Sequence, residues 1–477
     1  MVLTVQQLFI IFLIFSLQLF SQNVTIKGKA HLSYKNKIIQ LFSLTDFITN
    51  IKQKESQDTI QTDGFFALSF QADYTQPVFL KIDNVIAKLY VQPDFVYGII
   101  IPELDEKFDY KNDAELPVNI GIIGVDSTEL NVLTFDYQNQ FNNLFFTKEN
   151  RYISRTSMFK RADSLKKLCD VRYKKITNPY FKNYYEYSIA SINASVSRGE
   201  HYLISNYILN KPIQYKHYEY MQFFNSCFSG YLNTVASMRK GQSLYNIINV
   251  KASYNLLSDY LSKDKFLKND SIRELVIIKN LWEFYYSSEF ASDAIETIIS
   301  DLNQETKIAD HKKITATMLS YFNKMQPGSP APNIQARNKA GAITELGSLK
   351  GKWIYLNFFS TKNSESLKEM PKIASLKKKL GDKITFVSIC LDDSLSSYTN
   401  YLKFNFKFDW NIWYNYDKSI AKTAKENYFV TGTQAYFLIN NFGYLAQSPA
   451  QSPSNGIEFK LNSIFKPARK NIKTGTR

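Results

Sequence analysis

Cysteine is scarce here: Cys169, Cys227 and Cys390 are the only three in 477 residues, an odd number scattered along the chain. So few exclude a disulfide-stapled scaffold, and their spacing fits no thiolate metal site. A buried thiol outside any disulfide behaves as a small hydrophobe, and all three read as structural. Histidine is equally sparse: His31, His201, His217 and His311 lie far apart. The pair Glu200-His201 has no second ligand at helical or hairpin spacing, so it reads as solvated polar surface, and no metal or other cofactor is expected. Beyond the N-terminus no apolar run is long enough to cross a bilayer, which needs about 20 residues.

What is present bounds the class. A length of 477 residues favours about three domains. Hydrophobic residues at 44% and charged residues at 21% support globular burial and exclude disorder as the default for any long stretch. The 36 Phe and 32 Tyr read as core filling in the first instance. Residues 1–21 hold the apolar run 8–15 and no Lys or Arg, and read as a secretory signal peptide cleaved near Ser21. No cysteine follows that run closely, which excludes a lipoprotein anchor. The formal charge of +15 speaks to partners rather than fold. Lys466, Arg469, Lys470, Lys473 and Arg477 form a basic tail over 466–477, mobile by expectation and suited to peripheral contact with anionic lipid, acidic glycan or an acidic protein. Nucleic acid is not an expected partner of an exported chain.

Three patterns follow one another along the chain, so the fold class expected is multidomain: an N-terminal β-sandwich over 22–105, a central α-helical bundle over 106–325, and a C-terminal α/β domain over 326–465. Residues 24–28, 65–70 and 78–82 alternate with the two-residue period of half-buried strands. The turn signals Thr62-Asp63-Gly64-Phe65 and Gln92-Pro93-Asp94-Phe95 read as hairpin turns. From 106 onward proline and glycine thin out and periodicity becomes helical: Met158, Ala162, Leu165, Cys169 and Tyr173 mark one face, and Asn269-Asp270 caps a run too apolar to face water. No repeat of about 34 residues is present, which argues against tetratricopeptide architecture. Met325-Gln-Pro-Gly-Ser-Pro-Ala-Pro332 is a breaker cluster. Beyond it the reading is strand 353–359, helix 364–380, strand 384–390, helix 394–404, a hairpin of 435–439 with 444–446, and a closing helix over 458–465.

Gly328-Ser-Pro-Ala-Pro332, Leu349-Lys-Gly-Lys352, the apolar strand and the helical Glu369-Met370-Pro371 together resemble the periplasmic thioredoxin-like redoxins of the TlpA type. The sandwich-like turns resemble the carboxypeptidase-regulatory or transthyretin-like modules that precede such domains. The resemblance implies a Trp-Cys-x-x-Cys turn before the helix, yet this chain reads Lys362-Asn363-Ser364-Glu365-Ser366, with Asn363 and Ser366 in place of the two reactive sulfurs. It also implies a cis-proline before the next strand, where Val430-Thr-Gly-Thr-Gln434 offers Gln434. A cis bond before a residue other than proline costs about 2.5 to 4 kcal/mol, so a trans peptide is expected there. Disulfide exchange needs a thiolate and a resolving thiol, and neither an amide nor a hydroxyl supplies one. The peroxidatic cysteine of the peroxiredoxins would also fall near Asn363. Asp392-Asp393, where the family's strand ends in an Asp, reads as a helix N-cap and a solvated charge.

The expectation is a redox-inactive domain without catalytic residues, in a periplasmic chain that acts as an interaction or scaffold subunit of an envelope complex, an outer-membrane complex being one candidate. Its alternatives are a TlpA-like thiol-disulfide or peroxide-reducing enzyme with relocated chemistry, and a lipid- or glycan-binding envelope protein. The partner-binding surface is expected on aromatic faces of the helical stretch 135–286 rather than at the turn 362–366. Asp58-Thr-Ile, Asp163-Ser-Leu and Asp270-Ser-Ile fit a short O-glycosylation sequon that arises often by chance.

Overall fold

The computed structural model describes residues 23–83, 85–103, 116–146, 154–195, 199–209, 211–238, 242–285, 287, 289–392, 395–405, 407–414, 424, 427–428, 430 and 434–465. The expected signal peptide and basic tail lie outside the described residues. Among the described residues two compact units emerge: those within 23–103, 116–203 and 214–223 form one, and those within 204–213 and 224–465 form the other.

Among the described residues nine strands lie in the first unit: β1 (Asn23–Ala30), β2 (Ile38–Leu44), β3 (Lys52–Thr59), β4 (Phe65–Gln71), β5 (Gln76–Ile82), β6 (Val85–Val91), β7 (Val96–Ile101), β8 (Leu116–Pro117) and β9 (Gly121–Ile123). They form a sheet of order β4-β1-β7-β9 and another of order β3-β2-β5-β6-β8. Val24 and Ile26 of β1 and Ile39 and Leu41 of β2 have no exposed surface and share one core, so the inward-facing residues of both sheets pack together. Neither turn expected to close a hairpin does so. The Asp63-Gly64 turn joins β3 to β4 and residues 92–95 join β6 to β7, and each leads from one sheet into the other. Gly64 is required there: its φ is +87°, and a Cβ would lie 2.4 Å from the Ala30 carbonyl oxygen. The true hairpins are β2–β3 and β5–β6, the latter closing directly between Ile82 and Val85.

Helices α1 (Leu130–Phe145), α2 (Arg155–Arg172) and α3 (Pro179–Ser195) complete this unit, with α4 (Glu200–Tyr207) and α5 (Tyr218–Cys227) running through its boundary. The expected face of α2 is realised, with Ala162, Leu165 and Cys169 fully buried. It packs with Leu130, Tyr137 and Phe181 around Tyr90 of β6. Asn131 fixes α1 to that strand, accepting from the Tyr90 N–H at 2.7 Å and donating to its carbonyl at 2.8 Å. The helical stretch read from the sequence as one region is thus divided, its first part sharing a core residue with a strand.

The second unit holds α6 (Tyr231–Met238), α7 (Gln242–Asn246), α8 (Tyr254–Leu261), α9 (Asp270–Phe284), α10 (Ser292–Glu305) and α11 (Ala309–Lys324). Asn269 caps α9 by accepting from the Ile272 N–H at 3.0 Å, and residues 275–282 of that helix are all buried. The α/β domain follows: β10 (Gln335–Arg337), β11 (Ile343–Glu345), β12 (Trp353–Phe359), α12 (Ser364–Leu380), β13 (Ile384–Cys390), α13 (Leu395–Phe404), β14 (Asn411–Tyr414), β15 (Ala435–Ile439), β16 (Leu445–Gln447) and α14 (Ile457–Phe465). Its sheet runs β11-β10-β14-β13-β12-β15-β16. β12 pairs in parallel with β13 and antiparallel with β15. One core gathers Tyr355, Phe359 and Met370 and the other Ile354, Leu356 and Phe358, so β12 is buried on both faces. That explains its continuous apolar run. Among the described residues no helix is long and apolar enough to cross a membrane.

Candidate functional site

The site that the sequence points to is the turn from β12 into α12. Asn363 has extended backbone angles, φ −109° and ψ 114°, and is the N-cap of α12. Its Oδ1 accepts from the Ser366 N–H at 2.8 Å, and its carbonyl accepts from the Leu367 N–H at 3.2 Å. Of the first four N–H groups of a helix, which have no intrahelical acceptor, one is thereby satisfied. Ser366 is buried, at 1% exposure, whereas Lys362, Ser364 and Glu365 are not. Asn363 and Ser366 thus meet as cap and capped residue.

Asp392 is placed differently from expectation. It is 5% exposed and not a solvated charge. From just beyond β13 it reaches across to the loop after β12, where its Oδ1 accepts from the Ser360 hydroxyl at 2.6 Å and both carboxylate oxygens lie 3.1 Å from the Thr361 N–H. The Thr361 hydroxyl donates to the same carboxylate. Ser360 Oγ in turn accepts from the Lys362 N–H at 3.2 Å. The carboxylate therefore ties down the backbone that leads to the helix cap, a role that depends on β12 and β13 being neighbours. Asp393 lies outside the described residues.

Gln434 immediately precedes β15, half-buried, and its Oε1 is buried without a hydrogen-bond donor among the described residues. Residues 431–433 lie outside the described residues, and with them the peptide bond expected to be trans. Within α12, Glu369 accepts from the Ser454 N–H at 2.9 Å and from the Ser454 hydroxyl, with Lys372 Nζ at 3.0 Å. Burial by itself would raise its pKa, but the Ser454 and Lys372 donors outweigh burial and hold it below the ordinary value.

None of this supplies a sulfur. Cys390, last in β13, is 1% exposed, and burial followed by the Asp392 charge pushes its thiol far above the ordinary range. Cys169 lies in the first unit, its thiol pushed up to about 12 by burial and then by Asp170. Cys227 is half-buried. His31 and His201 are exposed, whereas His217 and His311 are buried, at 5% and 0% exposure. Among the described residues no cluster of His, Cys, Asp and Glu is arranged to hold a metal ion. Sequence reasoning missed the buried chain in which Trp410 Nε1 donates to Ser388 Oγ at 2.8 Å and Ser388 donates to Asn357 Oδ1 at 2.5 Å. Polar residues inside β12 and β13 were the available signal.

No family model matches the chain. A thiol-disulfide oxidoreductase ResA from one strain of Bacillus cereus is 34% identical over 87 residues, which is 18% of this chain and 50% of the relative. A second ResA, from another Bacillus cereus strain, is 32% identical over 134 residues, 27% of this chain and 73% of the relative. The chain belongs to the thioredoxin-like ResA family. It spans half the length of the first ResA relative and nearly three quarters of the second. Among solved structures, a thiol:disulfide interchange protein from a Bacteroides species is similar at 19% identity and a TM-score of 0.29, covering 31% of this chain and 97% of its own. The thioredoxin domain of a Bacteroides vulgatus thiol-disulfide oxidoreductase is similar at 20% identity and a TM-score of 0.27, covering 29% and 97%. The helix and strands around the turn are built, and residues 363 and 366, where the sequence resemblance implies the two sulfurs, carry an amide and a hydroxyl.

Proposed function

We propose that this chain is a non-catalytic member of the ResA family, exported to the periplasm, where it serves as an interaction or scaffold subunit of a cell-envelope protein complex. The observation that supports the reading is that neither position carries a sulfur, and that the side chain of Asn363 is spent on the Ser366 N–H as the cap of α12. The thiol in the same sheet, Cys390, is buried and held protonated, so it offers no substitute nucleophile. The three-part reading of the chain, with sheets and helices ahead of the redoxin domain, supplies surface for a partner beyond the site itself. The test has two arms. Insulin reduction and peroxide turnover by the purified protein stay at the no-enzyme rate, and a tagged copy recovered from solubilised envelope brings down a stoichiometric protein partner.

A second reading, a thiol-disulfide oxidoreductase with relocated chemistry, is favoured by the activity that the names of both ResA relatives carry. It requires thiol-dependent turnover that disappears in Cys390→Ser or Cys227→Ser.

A further inference from the structure

In the first unit, strand alternation gives the sheet of order β4-β1-β7-β9 two unlike faces. Val24 and Ile26 of β1, Leu68 of β4 and Ile99 of β7 point into the sandwich core, so their sequence neighbours point outward. Across that outward face the register sets Phe65, Lys29, Ile100 and Gly121 in one row, and Ala67, Lys27, Gly98 and Ile123 in the next. Val96 lies beside Thr25 in a third row. Phe65, Val96, Ile100 and Ile123 are between 45% and 61% exposed. Gly98 is what allows Ile123 to lie flat on the sheet, because a Cβ there would come 2.8 Å from Ile123 Cγ1. Exposed apolar side chains scattered singly are ordinary, but four gathered on one face mark a contact surface.

Charge and area decide the partner. Lys27 and Lys29 stand on β1 in the middle of the face, Lys29 Nζ lies 5.2 Å from the Phe65 ring centroid, and neither lysine has a carboxylate partner among the described residues. No Asp or Glu occupies any position of the three rows. A second copy packed face to face would set these lysines against their own counterparts with no acid to separate them, which opposes a symmetric dimer here. The three rows across four strands amount to about 400 Å². A standard protein interface takes about 800 Å² from each partner, so the face is half the size that a stable protein complex needs. A bilayer sets no such minimum: binding grows with the apolar area inserted and with the attraction of basic side chains to anionic headgroups. A face free of carboxylates is also what close approach to a negative surface requires.

We propose that this outer sheet face docks the protein onto an anionic lipid bilayer, with Phe65, Val96, Ile100 and Ile123 entering the headgroup boundary and Lys27 and Lys29 set against lipid phosphates. The inference rests neither on the redoxin turn nor on the scaffold reading, and its failure leaves both untouched. The test floats the purified exported protein with vesicles of phosphatidylcholine alone and with vesicles of equal parts phosphatidylcholine and phosphatidylglycerol. Binding is expected to the anionic vesicles, and Lys27→Ala with Lys29→Ala should weaken it about 25-fold, near fivefold for each lysine. The basic tail is present in parent and variant alike, so the difference belongs to the face. Insertion is read separately through Ile100→Trp, at an exposed outward position, whose fluorescence brominated lipid should quench beyond the quenching seen in the parent. Equal vesicle binding by the parent and the double lysine variant, or no added quenching in Ile100→Trp, would overturn the proposal. Polyglutamate binding that needs the two lysines, without vesicle binding, would assign the face to an acidic protein instead, and a dimer that Ile100→Asp dissociates would assign it to a second copy.

Discussion

The N–H of Ser366 donates to the side-chain oxygen of Asn363 at 2.8 Å, so residue 363, where the sequence resemblance implies a sulfur, serves as the N-cap of α12. A thiol at 363 would be a poor cap, and asparagine is among the strongest. Asparagine at 363 thus stabilises the start of α12.

Asn363→Ala should lower unfolding stability by about 1 kcal/mol, the usual loss of a good N-cap, and Asn363→Asp should be near neutral. Urea titration followed by far-UV circular dichroism reads both. An alanine variant as stable as the parent would show that the cap bond is idle in solution.

Asp392→Ala should cost more, on the order of 3 kcal/mol, because the Ser360 hydroxyl and the Thr361 N–H and hydroxyl all lose one buried charged acceptor. Asp392→Asn keeps part of this and should fall between the two. The same denaturation experiment ranks the three variants, and equal losses for Asp392→Ala and Asn363→Ala would contradict the network's weight.

Glu369 should contribute stability that depends on pH. Its carboxyl is held below the ordinary value of 4.5, so in the folded state it stays ionised at a pH where the unfolded chain already takes up a proton. The contribution is complete above about pH 4.5 and fades as pH falls through the depressed folded value. The stability difference between the parent and Glu369→Gln should therefore be constant near neutrality and shrink on acidification. A difference that grows as pH falls would reverse the sign assigned here.

Cys169 and Cys390 should resist alkylation in the native protein and react once it is unfolded, because burial raises both thiols and excludes the reagent. Peptide mapping after iodoacetamide treatment, with and without guanidinium, separates the two states. Native labelling of Cys390 would reopen the relocated-nucleophile reading.

The local units of this protein are written in its residue order. The bounds of β12, α12, β13 and β15 coincide with those read from apolar runs and breakers, and Asn269 caps α9 as its side chain and position require. Each of these rests on interactions within a few residues. That residues 363 and 366 are asparagine and serine is equally legible, since it is a matter of residue identity. What depends on distant partners took shape only on folding. β14 is not legible in the sequence because its four residues gain strand character only by pairing with β13 and β10. The Asp63-Gly64 turn has the chemistry of a hairpin, yet β4 finds its partner in β1 and not in β3, a choice made by which apolar faces meet in the core. Asp392 reads as surface until β13 is set beside β12, and Glu219 gained its place beside Tyr90 across 129 residues of chain. Nearest-neighbour chemistry writes helices, caps and turns, but burial of a charge is settled only when remote segments close over it.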